Sequence, residues 1–314
     1  MPKEYEVFYH NQFMSEGKRL VVKFNSPKED IDGFITILMA EIKKDIADFT
    51  TLKKTCYELV CRLPIPIFNQ TESFILRARP NDNDEMFSTG TQIAHNTERP
   101  DLIQLGRFNL ENEGVFYGTL PISSSEVNGQ MVTICEAYKD IFDPNNKALL
   151  KRFTMGKWMV TEPFPLVMLT FYDVALTKSS HIQNINPPYQ DFLDKSLSDI
   201  DKAKCESFFK FFSECAGKRN DSDNNYKLTT AFFHALRMYY GEKIGICYSS
   251  SMTDNFGLNV VLTPHIVKHC LKLDSVVMFK WVPDFAVSKS AQTFPCSIPA
   301  FADKDGNFII ANYF

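Results

Sequence analysis

Apolar residues recur at helical spacing at Ile31, Phe34, Ile35, Leu38, Ile42 and Ile46. Ser26-Pro27-Lys28-Glu29 precedes them as a capping box with proline at the first helical position. The pattern predicts a short strand over 19–24, then this helix, then a second helix over about 51–61 that Pro64 and Pro66 end. Beyond Phe74 the period shortens to that of strands, predicted over 74–79, 114–119, 157–160 and 166–171, with a helix over 132–141 among them. The polar stretch 81–101 reads as a loop, and 173–195 as irregular chain because of Pro187 and Pro188. A helix over 198–216 carries a dense phenylalanine face, Phe208, Phe209, Phe211 and Phe212, and stops at Gly217; another spans 229–240. Buried strands are predicted at 244–248, 258–262 and 275–281, with a short helix after Thr263-Pro264. The fold class expected is α+β, with residues 1–68 as an N-terminal helical extension and 69–314 as the main domain.

Composition narrows the functional classes. Of 314 residues, 44% are apolar and 23% charged, as in a globular chain with a sizeable core. A net charge of -4 gives no broad basic surface, so no nucleic-acid partner is expected. No run approaches the roughly 18 apolar residues of a membrane span, and the opening MPKEYEVFYHNQF lacks the apolar centre of a secretory leader. The eight cysteines form no CxxC pair and are read as reduced thiols of a cytoplasmic protein.

Familiar catalytic motifs are missing: there is no GxSxG, GxGxxG or GxxxxGK[ST]. His265 and His269 stand four apart, but with no third ligand nearby and no intervening glutamate, surface histidines are the simpler reading and no metal is expected. Four other stretches are more informative. FILRARP sets Arg77 and Arg79 on one strand face, where buried charge needs an anion. LGRFN supplies Arg107, GVFYG supplies Tyr117, and TICEAYKDIF places Glu136 on a helix with apolar neighbours. IGICYSSS ends a buried strand with Tyr248 and the hydroxyls of Ser249, Ser250 and Ser251, which reads either as a surface turn or as a strand end facing a ligand.

Taken in order, these stretches resemble the RES-domain family, named for its Arg, Glu and Ser. The matching residues are Arg77 with Arg79, Arg107, Tyr117, Glu136, Tyr248 and Ser250, followed by an Asn; YKLTTAFFHAL and TMGKWMV also resemble stretches of that family. The likeness is a scattered pattern over about 74–280. It departs from the family where Ser249 replaces the usual proline, and in a longer gap that leaves Glu126, in the polar SSSEVNG, as an alternative to Glu136.

The resemblance implies an ADP-ribosyltransferase-like core of short mixed strands and an enzyme that takes NAD as substrate. It implies cleavage of the nicotinamide–ribose bond by hydrolysis or phosphorolysis, in a toxin or defence effector. Alternatives are protein ADP-ribosylation, or a non-catalytic NAD-binding module of the same fold. On this expectation Glu136 stabilises the oxocarbenium-like transition state, the arginines grip the diphosphate, Tyr117 stacks on nicotinamide and Ser250 hydrogen-bonds it or its ribose. An NAD consumer also needs restraint, so a cognate antitoxin or other inhibitory protein, or a gated state involving the N-terminal region, is expected.

Overall fold

Asp48 caps the helix Phe49–Val60: its carboxylate accepts from the N–H groups of Thr50 and Thr51. The computed structural model describes residues 7–9, 31–71, 73–81, 85–96, 98–121, 129–137, 151–170, 173–218, 222–281 and 296–311. The strand expected over 19–24, the capping box at 26–29 and Glu126 lie outside them.

Helix α1 (Ile31–Ile42) and α2 (Phe49–Val60) follow the predicted stripes. Leu52, Cys56 and Leu59 are fully buried and turn α2 onto α8 (Asp223–Tyr240), while α1 packs on α7 (Asp199–Gly217). Both helices share one buried cluster with the rest of the chain, and the expected boundary at residue 68 falls inside strand β2 (Pro66–Gln70). They are therefore part of the main core. Burying their apolar stripes there removes them from water.

The sheet is mixed and ten-stranded, in the order β1-β2-β6-β7-β8-β4-β3-β5-β9-β10. Its other strands are β1 (Val7–Tyr9), β3 (Phe74–Asn81), β4 (Phe116–Thr119), β5 (Lys151–Val160) and β6 (Phe164–Leu169). The series ends with β7 (Gly245–Ser249), β8 (Leu258–Leu262), β9 (Leu271–Trp281) and β10 (Ala300–Phe301). Among the described strand pairs, only β6 and β7 run parallel. Helices cover the sheet in an α+β arrangement.

Register assigns side chains to faces, because directly paired residues project to the same side. Leu76 pairs Thr119, Thr119 pairs Asn259 and Asn259 pairs Tyr248, so these four and Tyr117 share the first face. Ile75, Arg77 and Arg79 alternate with Leu76 and share the second face with Phe116 and Trp158. Helix α4 (Gly129–Ala137) lies on the first face, where Ile134 and Cys135 pack with Leu76. The short helix α3 (Gly90–Ile93) and α9 (Pro264–Cys270) belong to the second.

Two expectations fail on tertiary grounds. The span 173–195 is helical, forming α5 (Asp173–Lys178) and α6 (Ser180–Ser196) with both Pro187 and Pro188 inside α6. Each proline removes one helix hydrogen bond, but Ile182, Tyr189 and Leu193 on the same helix are buried, and Tyr189 donates its hydroxyl to the Pro64 carbonyl. The polar span 81–101 likewise contains α3, started by a capping box between Thr89 and Gln92. The phenylalanine face of α7 does pack inward: Phe208, Phe209 and Phe212 are buried, and Phe212 stacks 4.4 Å from Phe232 of α8. No helix among the described residues is long and apolar enough to cross a membrane.

Candidate functional site

Strand β7 ends at Ser249, and the chain then turns through a 3-10 segment (Ser251–Thr253) into β8. Asp254 and Asn255 take left-handed φ values of 49° and 67°, which short polar residues tolerate best. Ser250 closes the turn: its N–H donates to the Gly257 carbonyl, and its own carbonyl accepts from Asn255 N–H. The turn packs tightly on α4. A Cβ at Gly257 would lie 2.4 Å from a methyl of Val132, so only glycine permits this approach.

That packing brings together three side chains distant in sequence. Ser250 Oγ donates to Glu136 Oε1 at 2.6 Å, and Asn259 Nδ2 donates to the same oxygen at 2.8 Å. Asn259 is itself oriented by Thr119, whose hydroxyl donates to Asn259 Oδ1 at 3.4 Å. Ser250 and Asn259 are buried, whereas Glu136 is half-buried, and its Oε2 has no protein partner among the described residues. One carboxylate oxygen is thus held by two donors.

The two serines separate cleanly. Ser249 projects to the second face, opposite Leu258, and its buried Oγ has no partner among the described residues. Ser250 is the serine that meets Glu136.

Tyr248 lies beside this group on the first face, packed 5.0 Å from the Phe108 ring, with the Arg107 guanidinium 5.8 Å above its own ring. Burial raises the Tyr248 pKa well above that of a free phenol, and the nearby Glu136 carboxylate adds to the rise. Arg107 donates through Nη1 to the carbonyls of Cys215, Ala216 and Lys218, capping the C-terminal end of α7, and also stands over Tyr226. Its Nε and Nη2 have no partner among the described residues. Tyr117 holds the adjoining loop, accepting from Phe108 N–H at 2.8 Å and donating to Asn109 Oδ1 at 2.9 Å. Burial raises its pKa as well.

Arg77 and Arg79 do not join this group. Both point from the second face into the end of α3, where Arg77 donates to the carbonyls of Ile93 and Ala94 and Arg79 to that of Gln92. A further bond runs from Arg77 Nη1 to the Tyr117 carbonyl at 2.6 Å. Burial, then Arg79, lower the Arg77 pKa to about 10, which leaves it charged at neutral pH. Arg77 and Arg79 therefore lie on the opposite side of the sheet from Glu136, whereas Arg107 shares the ring of Tyr248 on the first face.

Asn259 and Thr119 are partners that sequence reasoning misses; the period-2 pattern of β8 and β4 places them on strands but does not show which face α4 covers. His265 and His269 stack 4.2 Å apart, with His269 Nδ1 donating to the His265 carbonyl. No family model and no curated protein matches this chain.

Proposed function

We propose that the protein consumes NAD, breaking the nicotinamide–ribose bond at Glu136. The observation that carries this reading is the convergence of Ser250 and Asn259 on one oxygen of Glu136, 114 and 123 positions away, with the other oxygen left open. The ordered resemblance to RES domains supports it, and with it an ADP-ribosyltransferase-like core.

In this reading the carboxylate faces the ribose. As the C–N bond breaks, its electron pair leaves with neutral nicotinamide and positive charge grows on the ribose ring. A fixed carboxylate stabilises that charge most when it need not reorient, which is what the two donors on Oε1 secure. No strong general acid is required, in keeping with the lack of a histidine at the cluster among the described residues. Water or phosphate then adds to the ribose carbon; a protein side chain in that place would give ADP-ribosylation instead. Arg107 offers its two uncommitted nitrogens to the diphosphate. Tyr248 is a buried support under Arg107, and Tyr117 shapes the loop beside it. A toxin or defence role with an inhibitory protein partner follows from the same reading.

The test is nicotinamide release from NAD by the purified chain, with and without phosphate, beside Glu136→Gln and Ser250→Ala. Release that both variants lose supports the proposal, and its phosphate dependence separates phosphorolysis from hydrolysis. Labelled protein without free ADP-ribose indicates transfer. No release and no labelling, with NAD still raising the melting temperature, leaves a binding module and overturns the catalytic reading.

A further inference from the structure

Ser250 gives up an ordinary role to reach Glu136. It is the N-cap residue of the 3-10 segment Ser251–Thr253, a position where a serine hydroxyl normally accepts from a backbone N–H of the first turn. Here its Oγ donates to Glu136 Oε1 instead, and the segment has no side-chain cap. The turn also carries two successive residues in the left-handed region, Asp254 and Asn255, neither of them glycine. Support for it comes from two neighbouring elements.

One is α4: Gly257 fits against Val132, and Met252 packs on the cluster that contains Ile134 and Cys135. The other is the end of α5. Lys178, its last residue, donates through Nζ to the Asp254 carbonyl at 2.8 Å and stands 4.9 Å from the centre of the Phe256 ring. Asp254 is the C-cap of the 3-10 segment. Its carbonyl is therefore one that helical geometry leaves without a partner, and a cation is the favoured donor at that end.

The topology delivers α5 to this spot. Strands β6 and β7 run parallel, with Leu169 paired to Tyr248, so both chains leave the sheet at the same end. There β7 continues into the Ser250 turn, and β6 leads to α5. The corner between α5 and α6 is itself fixed. Gln183 Nε2 donates to the Leu176 carbonyl at 2.8 Å, and the buried Ser179 caps α6 by accepting from Ile182 N–H. Lys178 stands between these two anchors. Among the described residues it pairs with no carboxylate; its two contacts are both with the turn.

We propose that Lys178 is the positioning residue for Ser250: its ammonium, held between the Asp254 carbonyl and the Phe256 ring, keeps the turn in the register that lets Ser250 donate to Glu136. This rests on the reading of Glu136 as the group that stabilises charge on the ribose. Ser250 fixes a carboxylate whose effect is felt as that charge develops, so loss of Lys178 lowers kcat and leaves the KM for NAD nearly unchanged.

The test uses the full chain with Lys178→Met, which keeps the apolar stem beside Phe256 and deletes the ammonium, and with Lys178→Arg, which restores a cation and a donor. Lys178→Met is expected to lower kcat for nicotinamide release about tenfold with KM within about twofold, and Lys178→Arg to regain most of the loss. Because Lys178 acts through Ser250, adding Lys178→Met to Ser250→Ala should lower kcat by less than about twofold more. Hydrogen exchange of the turn, residues 249–257, supplies a readout that does not depend on NAD. Lys178→Met should speed it about tenfold while the amides of α2 keep their rates. Unchanged exchange in the turn overturns the proposal whether or not the chain releases nicotinamide. An unchanged kcat in an active chain also overturns it, as does a full tenfold loss on top of Ser250→Ala. Faster exchange of the turn in a chain that releases no nicotinamide upholds Lys178 as its clamp and removes only the reading of Glu136.

Discussion

Ser250 donates to Glu136 at 2.6 Å, while its neighbour Ser249, one peptide away, projects to the other face of the sheet and meets no partner among the described residues. The pair therefore forms an internal control. Ser250→Ala is expected to lower nicotinamide release by roughly 10²-fold, the scale of losing one fixed donor at a charge-stabilising site. Ser249→Ala should leave turnover within about twofold, because the hydroxyl it deletes makes no bond. Steady-state rates on the two variants decide; equal loss in both would place the active serine elsewhere.

The arginines are expected to divide in the same manner. Arg77→Leu strips partners from the buried carbonyls of Ile93, Ala94 and Tyr117, and should destabilise the chain by about 2–4 kcal/mol in denaturant unfolding. The KM for NAD of the folded fraction should not change. Arg107→Leu should raise that KM about tenfold or more, in addition to weakening the α7 cap. A KM effect confined to Arg77 would contradict the face assignment.

Much of this arrangement was legible in the chain. Periodicity located β3, β8 and α7, and the residues Arg77, Arg107, Tyr117, Glu136 and Ser250 could be picked out by type. What periodicity does not encode is the face: Arg77 and Arg79 do share one side of β3, as alternation requires, but which side depends on where α4 and α3 dock. The same limit hides Asn259: periodicity places it on β8 but not on the face where α4 brings Glu136. Proline was misleading in α6 because burial of Tyr189 and Leu193 outweighs the local penalty, a balance visible only in the folded core.

Acid sensitivity should report on the junction between the Arg107 loop and α8. Glu113 accepts from Leu110 N–H and His234 and is paired with Arg237. Burial alone would raise its pKa, yet the bonds from His234, Leu110 and Arg237 together bring it down to about 2. A carboxyl depressed in the folded state stabilises above its unfolded pKa of about 4.3, and loses that contribution as pH falls from there toward 2. With the group partly exposed, the contribution is about 2 kcal/mol after screening. Glu113→Gln should remove that part of the slope in the pH dependence of unfolding free energy between about pH 4.5 and 2. An unchanged slope would show that this ion pair does not couple folding to pH.

Gly257 offers the sharpest test that the turn and α4 act as a unit. Alanine there would set a methyl 2.4 and 2.7 Å from the two methyls of Val132, closer than atoms tolerate, so α4 or the turn must shift. Overpacking of this kind costs about 1–3 kcal/mol. Because Glu136 lies one turn beyond Val132 on α4 and Ser250 closes the turn that contains Gly257, the shift is expected to lengthen the Ser250–Glu136 bond and to reduce nicotinamide release more than it reduces stability. Val132→Ala removes the two methyls that the new one would strike, so the double variant should recover release relative to Gly257→Ala alone. Thermal unfolding and release measured on the single and double variants form a double-mutant cycle, in which a positive coupling for turnover is the expected sign and strict additivity would separate the turn from the site.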